Sequence, residues 1–302
     1  MSGVVLTDGG MGQELLRRSG AEPTPLWSAQ VMMDRPELVT ALHADFIAAG
    51  ARVITINAYS ATPERLARDG LGDMFAPLQA RAIDAAKAAR DASGRDIAIA
   101  GCLPPLYGSY QPHLRTSFDE TLAIYRRIVA EQADEVDLIL CETMASAEEG
   151  RAAALAATEC GKPVWASWTL SDDNPPKLRG GDTIDEASAA LSDLLVSARL
   201  VNCSRPETID RAMLELVALG GPVGAYANGF SAVGPLKIGG TVKVLDARAD
   251  LGPEAYADYA LGWVEQGAAI VGGCCEVGPA HIAAIARRLE EADIEIIGVS
   301  HA

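Results

Sequence analysis

Three cysteines stand where two short apolar runs end. Ile270-Val-Gly-Gly-Cys-Cys-Glu276 carries an adjacent pair, Cys274 and Cys275, and Val201-Asn-Cys-Ser204 carries the third, Cys203. Three protein thiolates fill three corners of a tetrahedral zinc site and leave the fourth open, the pattern of a catalytic metal rather than a structural one. An open thiophilic corner suits a substrate that is itself a thiol, because zinc lowers a thiol's pKa until the bound sulfur is ionised near neutrality. Adjacent side chains in a regular strand point to opposite faces, so the pair must lie at or past a strand end. Gly272 and Gly273 allow the sharp turn that brings both to one point. Taken singly, each cysteine reads as a small buried hydrophobe. The pairing of Gly-Gly-Cys-Cys with Asn-Cys at two strand ends favours the metal.

Cys102, Cys141 and Cys160 keep the packing reading, although Cys102 and Cys141 also follow strand-like runs. The four histidines (His43, His113, His281, His301) show no metal-binding spacing. Asp8 and Glu142 are carboxylates at strand ends, where either could receive a substrate ammonium through a charge-assisted hydrogen bond. The Gly9–Gly12 backbone could offer N–H groups to a substrate carboxylate. The competing role for Asp8 is an N-cap for a helix around Gln13–Arg18, and for Glu142 a loop ion pair. Asn57, Asn202 and Asn228 could orient ligands, and each could equally satisfy a turn.

The elements that must position these groups alternate along the chain. Short apolar runs, most of them β-branched, fall at 4–7, 53–56, 97–100, 136–140, 164–170, 199–201, 222–226 and 269–271. Between or after them lie stretches of helical periodicity at 37–49, 76–92, 118–133, 147–160, 184–195, 206–219, 253–266 and 279–290, the last three opening near a proline suited to a first turn. Eight βα units predict a (β/α)₈ barrel, in which chemistry collects on the loops after the strands. The rival, a doubly wound open sheet, lacks its Gly-x-Gly-x-x-Gly fingerprint, since Asp8-Gly-Gly-Met-Gly12 has the wrong spacing. No linker or low-complexity block divides residues 1–302, so one barrel domain is expected.

Composition narrows the partners. The net charge is −16, with 25 Lys+Arg against 41 Asp+Glu, so nucleic acid, which needs basic surface, is excluded as an expected partner. The acidic surface serves solubility, with a preference for cationic small molecules as the second explanation. No run approaches the ~20 apolar residues of a spanning helix, and the first eight residues lack a signal peptide's basic region and apolar core. The adjacent Cys274–Cys275 pair argues against a disulfide framework, and a cytoplasmic location is expected.

The motifs Asp8-Gly-Gly-Met-Gly-Gln-Glu-Leu15, Cys141-Glu-Thr143, Val201-Asn-Cys203, Gly272-Gly-Cys-Cys275 and Gly278-Pro-Ala-His-Ile282 resemble those of the homocysteine S-methyltransferase family. They span almost the whole chain, and the Asn-Cys plus Gly-Gly-Cys-Cys combination is highly specific. The resemblance implies a zinc barrel that transfers a methyl group to the sulfur of homocysteine, giving methionine. It implies Cys203, Cys274 and Cys275 as zinc ligands, with Asp8, Glu142 and the Gly9–Gly10 backbone as contacts to the amino-acid end. Departures are Gln13 where threonine is usual, Asn57-Ala-Tyr-Ser60, Tyr226-Ala-Asn-Gly229 and Glu276-Val277. They leave the metal site intact and bear on the donor. A small sulfonium is the first expectation, S-methylmethionine ahead of S-adenosylmethionine or dimethylsulfoniopropionate, with Trp27, Tyr59 or Tyr107 sheltering its charge and Trp168 placed in the core. Betaine or a corrinoid protein is second, because about 300 residues leave no room for cobalamin domains. From other classes, a non-catalytic zinc or thiol sensor remains, while a zinc hydrolase is disfavoured by the all-sulfur ligand set.

Overall fold

The computed structural model describes residues 3–299, apart from 114, 115 and 235. Eight parallel strands form one sheet: β1 (Val5–Leu6), β2 (Val53–Thr55), β3 (Ala98–Leu103), β4 (Leu138–Met144), β5 (Val164–Trp168), β6 (Ala198–Asn202), β7 (Val223–Tyr226) and β8 (Ile270–Val271). Their spatial order is β1-β8-β7-β6-β5-β4-β3-β2. The remaining seam, between β1 and β2, is crossed by the bridge Thr7 to Val53 and by the Asp8 amide donating to the Val53 carbonyl at 2.9 Å. The ring is thereby a (β/α)₈ barrel. All seven residues of β4 and all five of β5 are buried, because the sheet is covered on both faces.

Inside the ring, Val5, Val53, Leu138, Trp165, Leu200 and Ile270 fill a small separate core. The main core lies between strands and helices. The helices are α1 (Met11–Ser19), α2 (Ser28–Asp34), α3 (Pro36–Ala48), α4 (Pro63–Arg68), α5 (Phe75–Ser93), α6 (Phe118–Gln132), α7 (Ala147–Thr158), α8 (Ile184–Ala189), α9 (Pro206–Ala218), α10 (Pro253–Gln266) and α11 (Pro279–Glu291). Local chemistry explains their starts. Ser117 with Glu120 and Thr183 with Glu186 form capping boxes, and α3, α4, α9, α10 and α11 open on proline.

Several expectations shift. The helix expected over 184–195 ends at Ala189, because the following amides of Leu191, Ser192 and Leu194 bond three residues back, in the tighter turn geometry. β3 and β4 run past the predicted ends at 100 and 140, so Cys102, Cys141 and Glu142 lie within strands rather than after them. Short α2 and α4 carry too few turns to show a period. His43 is buried in α3, His281 accepts from the Gly278 amide through Nδ1 at 3.2 Å, and His113 is exposed. His301, like Met1 and Ser2, lies outside the described residues.

Candidate metal and substrate centre

β6 delivers Cys203 at the rim in a left-handed conformation (φ 48°), a strained geometry fixed by its neighbours. Its amide donates to the Tyr226 carbonyl at 3.0 Å, and its carbonyl accepts from the Thr169 hydroxyl at 3.2 Å. The loop after β8 brings Cys274 and Cys275. The Cys274 amide donates to Ala227, the Gly229 amide donates to the Cys275 carbonyl, and the Gly273 amide donates to Asp8. The glycines permit this crowding: a Cβ on Gly272 would sit 1.8 Å from Thr7 Oγ1, and one on Gly273 2.1 Å from Val277 Cγ1.

The three sulfurs lie within 4.8 Å of one another, forming a group able to hold a metal. Cys203 Sγ is 3.8 Å from Cys275 Sγ and 2.7 Å from Cys274 Sγ. Two Zn–S bonds of ~2.3 Å at a tetrahedral angle subtend about 3.8 Å, so one edge already matches and the other needs to widen by about 1 Å. Burial opposes ionisation of Cys203, but hydrogen bonds from Cys274, Cys275 and Tyr110 outweigh it and hold the thiol well below its ordinary pKa. Hydrogen bonding to Cys203 pushes Cys274 and Cys275 up. A cation would relieve this competition for one negative charge.

Glu142 sits at the β4 bulge, where Thr143 takes φ 62° and the register slips against β5. The bulge re-aims its side chain into the barrel mouth. Glu142 forms no ion pair among the described residues. Instead the buried Cys102 thiol donates to Glu142 Oε1 at 3.1 Å. Burial pushes the Glu142 carboxyl up to about 7, with the Cys102 bond opposing and the Cys203 charge adding to the rise. Asp8 is not a helix cap, since Gly10 occupies that position without a side-chain bond. Its carboxylate accepts from the Thr55 amide at 2.8 Å, across the β1–β2 seam. Burial, only partly offset by that bond, raises the Asp8 pKa well above the carboxylate range.

Asp8, Gly9, Gly10, Asn57, Glu142 and the three cysteines line one cavity of about 150 Å³. One glycine role needs correction. The Gly10 amide already donates to the Val277 carbonyl at 2.9 Å, so it is not free for a ligand. A Cβ on Gly9 or Gly10 would fall 2.1 Å from Val277 O or 2.4 Å from Cys274 O, which makes these glycines packing necessities for the cysteine loop. Met11 and Gly12, at the start of α1, also line the cavity.

The asparagines divide. Asn57 borders the cavity while donating to the Ser28 carbonyl at 3.3 Å. Asn202 is directed away from the cavity: its Oδ1 accepts from the Thr143 amide and the Ser167 hydroxyl, and its Nδ2 donates to Thr143 Oγ1. It stabilises the β4 bulge. Asn228 accepts from the Phe230 amide at 3.1 Å and shapes a turn. Trp27, Tyr59 and Tyr107 line the cavity, whereas Trp168 is fully buried in the core.

Sequence reasoning missed three contributors. Tyr110, in the β3–α6 loop at φ 63°, places its hydroxyl 3.0 Å from Cys203 Sγ. Arg65, on α4, lines the cavity beside Tyr59. The long β7–α10 excursion folds back over the mouth, packing Phe230, Val233 and Leu245 against Tyr110 and Cys275. No motif marks any of them; each reaches the site through the tertiary path of an irregular loop or a helix too short to show a period.

Comparison with known proteins agrees with this geometry. A family profile described as Homocysteine S-methyltransferase matches residues 5–289. Homocysteine S-methyltransferase of Escherichia coli is 30% identical over 306 residues, covering 94% of this chain and 95% of that protein. Homocysteine S-methyltransferase 4 of Zea mays is 29% identical, covering 98% and 92%. The metallated crystal form of the Escherichia coli homocysteine methyltransferase MmuM superposes with a TM-score of 0.80 at 30% identity, over 94% of this chain and 96% of that one. The fold, the convergent cysteines and these relatives agree: this chain is a methyltransferase and belongs to the homocysteine S-methyltransferase family.

Proposed function

We propose that residues 1–302 act as one zinc-dependent barrel that moves a methyl group from a small sulfonium donor to the thiol of L-homocysteine, S-methylmethionine being the first-choice donor. The observation that carries the reading is the convergence of Cys203, Cys274 and Cys275 within 4.8 Å at the mouth of a cavity that also holds two buried carboxylates. Zinc bound by these three sulfurs supplies a Lewis-acidic corner at which an incoming thiol ionises near neutral pH. Glu142 and Asp8 receive the substrate ammonium, whose positive charge counters the rise that burial causes in both carboxyl pKa values. The substrate carboxylate faces the first turn of α1, where the Met11 and Gly12 amides precede any intrahelical partner. Tyr110 steadies Cys203 through its hydroxyl. Trp27 and Tyr59, edge to face with centroids 6.2 Å apart, shelter the cationic donor and exclude water from the line of attack.

The test couples metal analysis to a donor panel. Purified protein should carry one zinc, and Cys203→Ser should lose most of it. With homocysteine supplied, S-methylmethionine should yield methionine faster than S-adenosylmethionine, dimethylsulfoniopropionate or betaine. Homocysteine binding with no methionine from any donor would leave a thiol sensor, and full zinc occupancy with unchanged turnover in Cys203→Ser would remove that residue from the site.

A further inference from the structure

The charged residues lining the cavity are separated by sign. Asp8 and Glu142 belong to the β1 and β4 ends beside the sulfurs, whereas Arg65 and Arg68 come from α4 and Lys237 from the β7–α10 excursion. In a chain where acids outnumber bases 41 to 25, three cations around one opening run against the composition. Among the described residues, no carboxylate pairs with any of them. Arg65 is half-buried and held by backbone, its Nη2 donating to the Pro105 carbonyl at 2.8 Å and its Nε to Leu106 at 3.4 Å. Its guanidinium lies 5.2 Å from the centroid of Tyr59, whose hydroxyl is 2.9 Å from Ser109 Oγ. Arg68, three residues on, donates to the Tyr107 carbonyl at 2.8 Å. The wall formed by α4 and the excursion thus carries positive charge without an ion pair among the described residues, Arg65 feeling the charge of Glu149 without pairing with it, and the strand-end wall carries the acids and the thiols.

We propose that Arg65, flanked by Arg68 and Lys237, is a subsite for the carboxylate of the methyl donor, and that the donor therefore carries a carboxylate behind its cationic centre. Its cationic methyl-bearing centre faces the sulfurs, and its carboxylate lies a few bonds behind, toward α4. This deepens the proposed function and rests on it for the direction of transfer. A dipolar cavity of this kind aligns a dipolar ligand before reaction, so the methyl carbon faces the nucleophile without a search among orientations. An arginine preordered by carbonyls and an aromatic ring loses little freedom on accepting a carboxylate. The shared chemistry is a carboxylate behind a sulfonium or a quaternary ammonium, and the probes below separate the two.

The experiment uses zinc-loaded full-length protein with homocysteine present. S-Methylmethionine, dimethylsulfoniopropionate and betaine are each compared with their own carboxamide, by calorimetry for binding and by methionine formation for turnover. The acid should bind at least about tenfold more tightly than its amide, the scale of one charge-assisted hydrogen bond. In Arg68→Ala/Lys237→Ala that preference should shrink, in Arg65→Met it should vanish, and Arg65→Lys should restore part of it. Melting temperature and homocysteine binding of the double variant should stay at wild-type values, which separates a lost subsite from a loosened loop. Equal binding of acid and amide by the wild type would overturn the subsite, as would an Arg65→Met variant that weakens both equally. A preserved acid preference without methionine from any donor would instead defeat the proposed function and leave the subsite standing.

Discussion

Gln13 donates from Nε2 to Glu276 Oε1 at 2.8 Å, although 263 residues separate them in the chain. Both positions fall among the motif departures expected from the sequence, and the structure makes them one contact. The other end of the Gln13 amide accepts from Trp27 Nε1 at 2.9 Å, and Arg17 holds the second oxygen of Glu276 at 2.9 Å. Glu276 directly follows Cys275 of the three-sulfur cluster at φ 66°, so the aromatic wall and the sulfur loop share one amide.

Gln13→Leu should therefore raise the donor KM about fivefold, the scale of one lost neutral hydrogen bond, while leaving zinc affinity near wild type. Gln13→Glu should be worse, because it opposes two carboxylates. Adding Glu276→Gln to that variant should restore the contact and the KM. Kinetics on the four proteins check this; no recovery in the double variant would separate the two residues functionally. The Arg17 ion pair, half-exposed, should contribute little.

Cys102 is predicted to position Glu142 rather than touch substrate. Burial pushes its thiol well above the ordinary range, so it stays protonated and remains a donor. Cys102→Ala should weaken homocysteine binding about tenfold without lowering the zinc content, and Cys102→Ser should retain most of the affinity. Calorimetry with homocysteine, beside metal analysis of each protein, distinguishes this from loss of a metal ligand.

His43 should make stability fall in mild acid. It is fully buried, neither ring nitrogen has a partner among the described residues, and burial pushes its pKa down to about 4 from 6.5. The unfolded chain binds a proton below pH 6.5 that the folded chain refuses until about pH 4. Stability from this group is thus present above 6.5 and lost as the pH falls through that window. Linkage gives a loss of about 2 kcal/mol by pH 5. Denaturant titrations at pH 7.5 and 5 should show a smaller drop in His43→Leu than in wild type.

Gly224→Ala tests the barrel interior. A Cβ there would lie 2.6 Å from the Ile270 carbonyl oxygen and 3.0 Å from Leu200 Cδ2, between β6 and β8. Overpacking of that kind should destabilise by about 1–3 kcal/mol, read as a lower thermal midpoint. An unchanged midpoint would mean that the strands spread without resistance.

Much of this architecture is legible in the sequence because it rests on repetition. Buried parallel strands demand runs such as Val164–Trp168, and helices that cover them demand periodicity such as Leu122, Tyr125, Ile128 and Val129, all buried on α6. The cysteines were legible because glycine beside paired thiols has few other uses. What escaped depends on where chain ends meet. Asn202 looks like a ligand-facing amide until the β4 bulge claims both its ends. Gly10 looks like a free donor until Val277 arrives from the other terminus of the chain. Tyr110 and Arg65 sit in a loop and a six-residue helix, where no period exists to predict a direction.

The seam between β1 and β2 has a consequence for how this enzyme can change. Its outermost stitch is the Asp8 carboxylate on the Thr55 amide, beside the backbone bond from Asp8 to Val53. One acid therefore clasps the hoop shut and also lines the cavity. A lineage that retunes this group for another substrate slackens its own girdle, whereas Glu142, braced by a single thiol, is free to drift. New specificity should arise first on the side of the ring where nothing is being held closed.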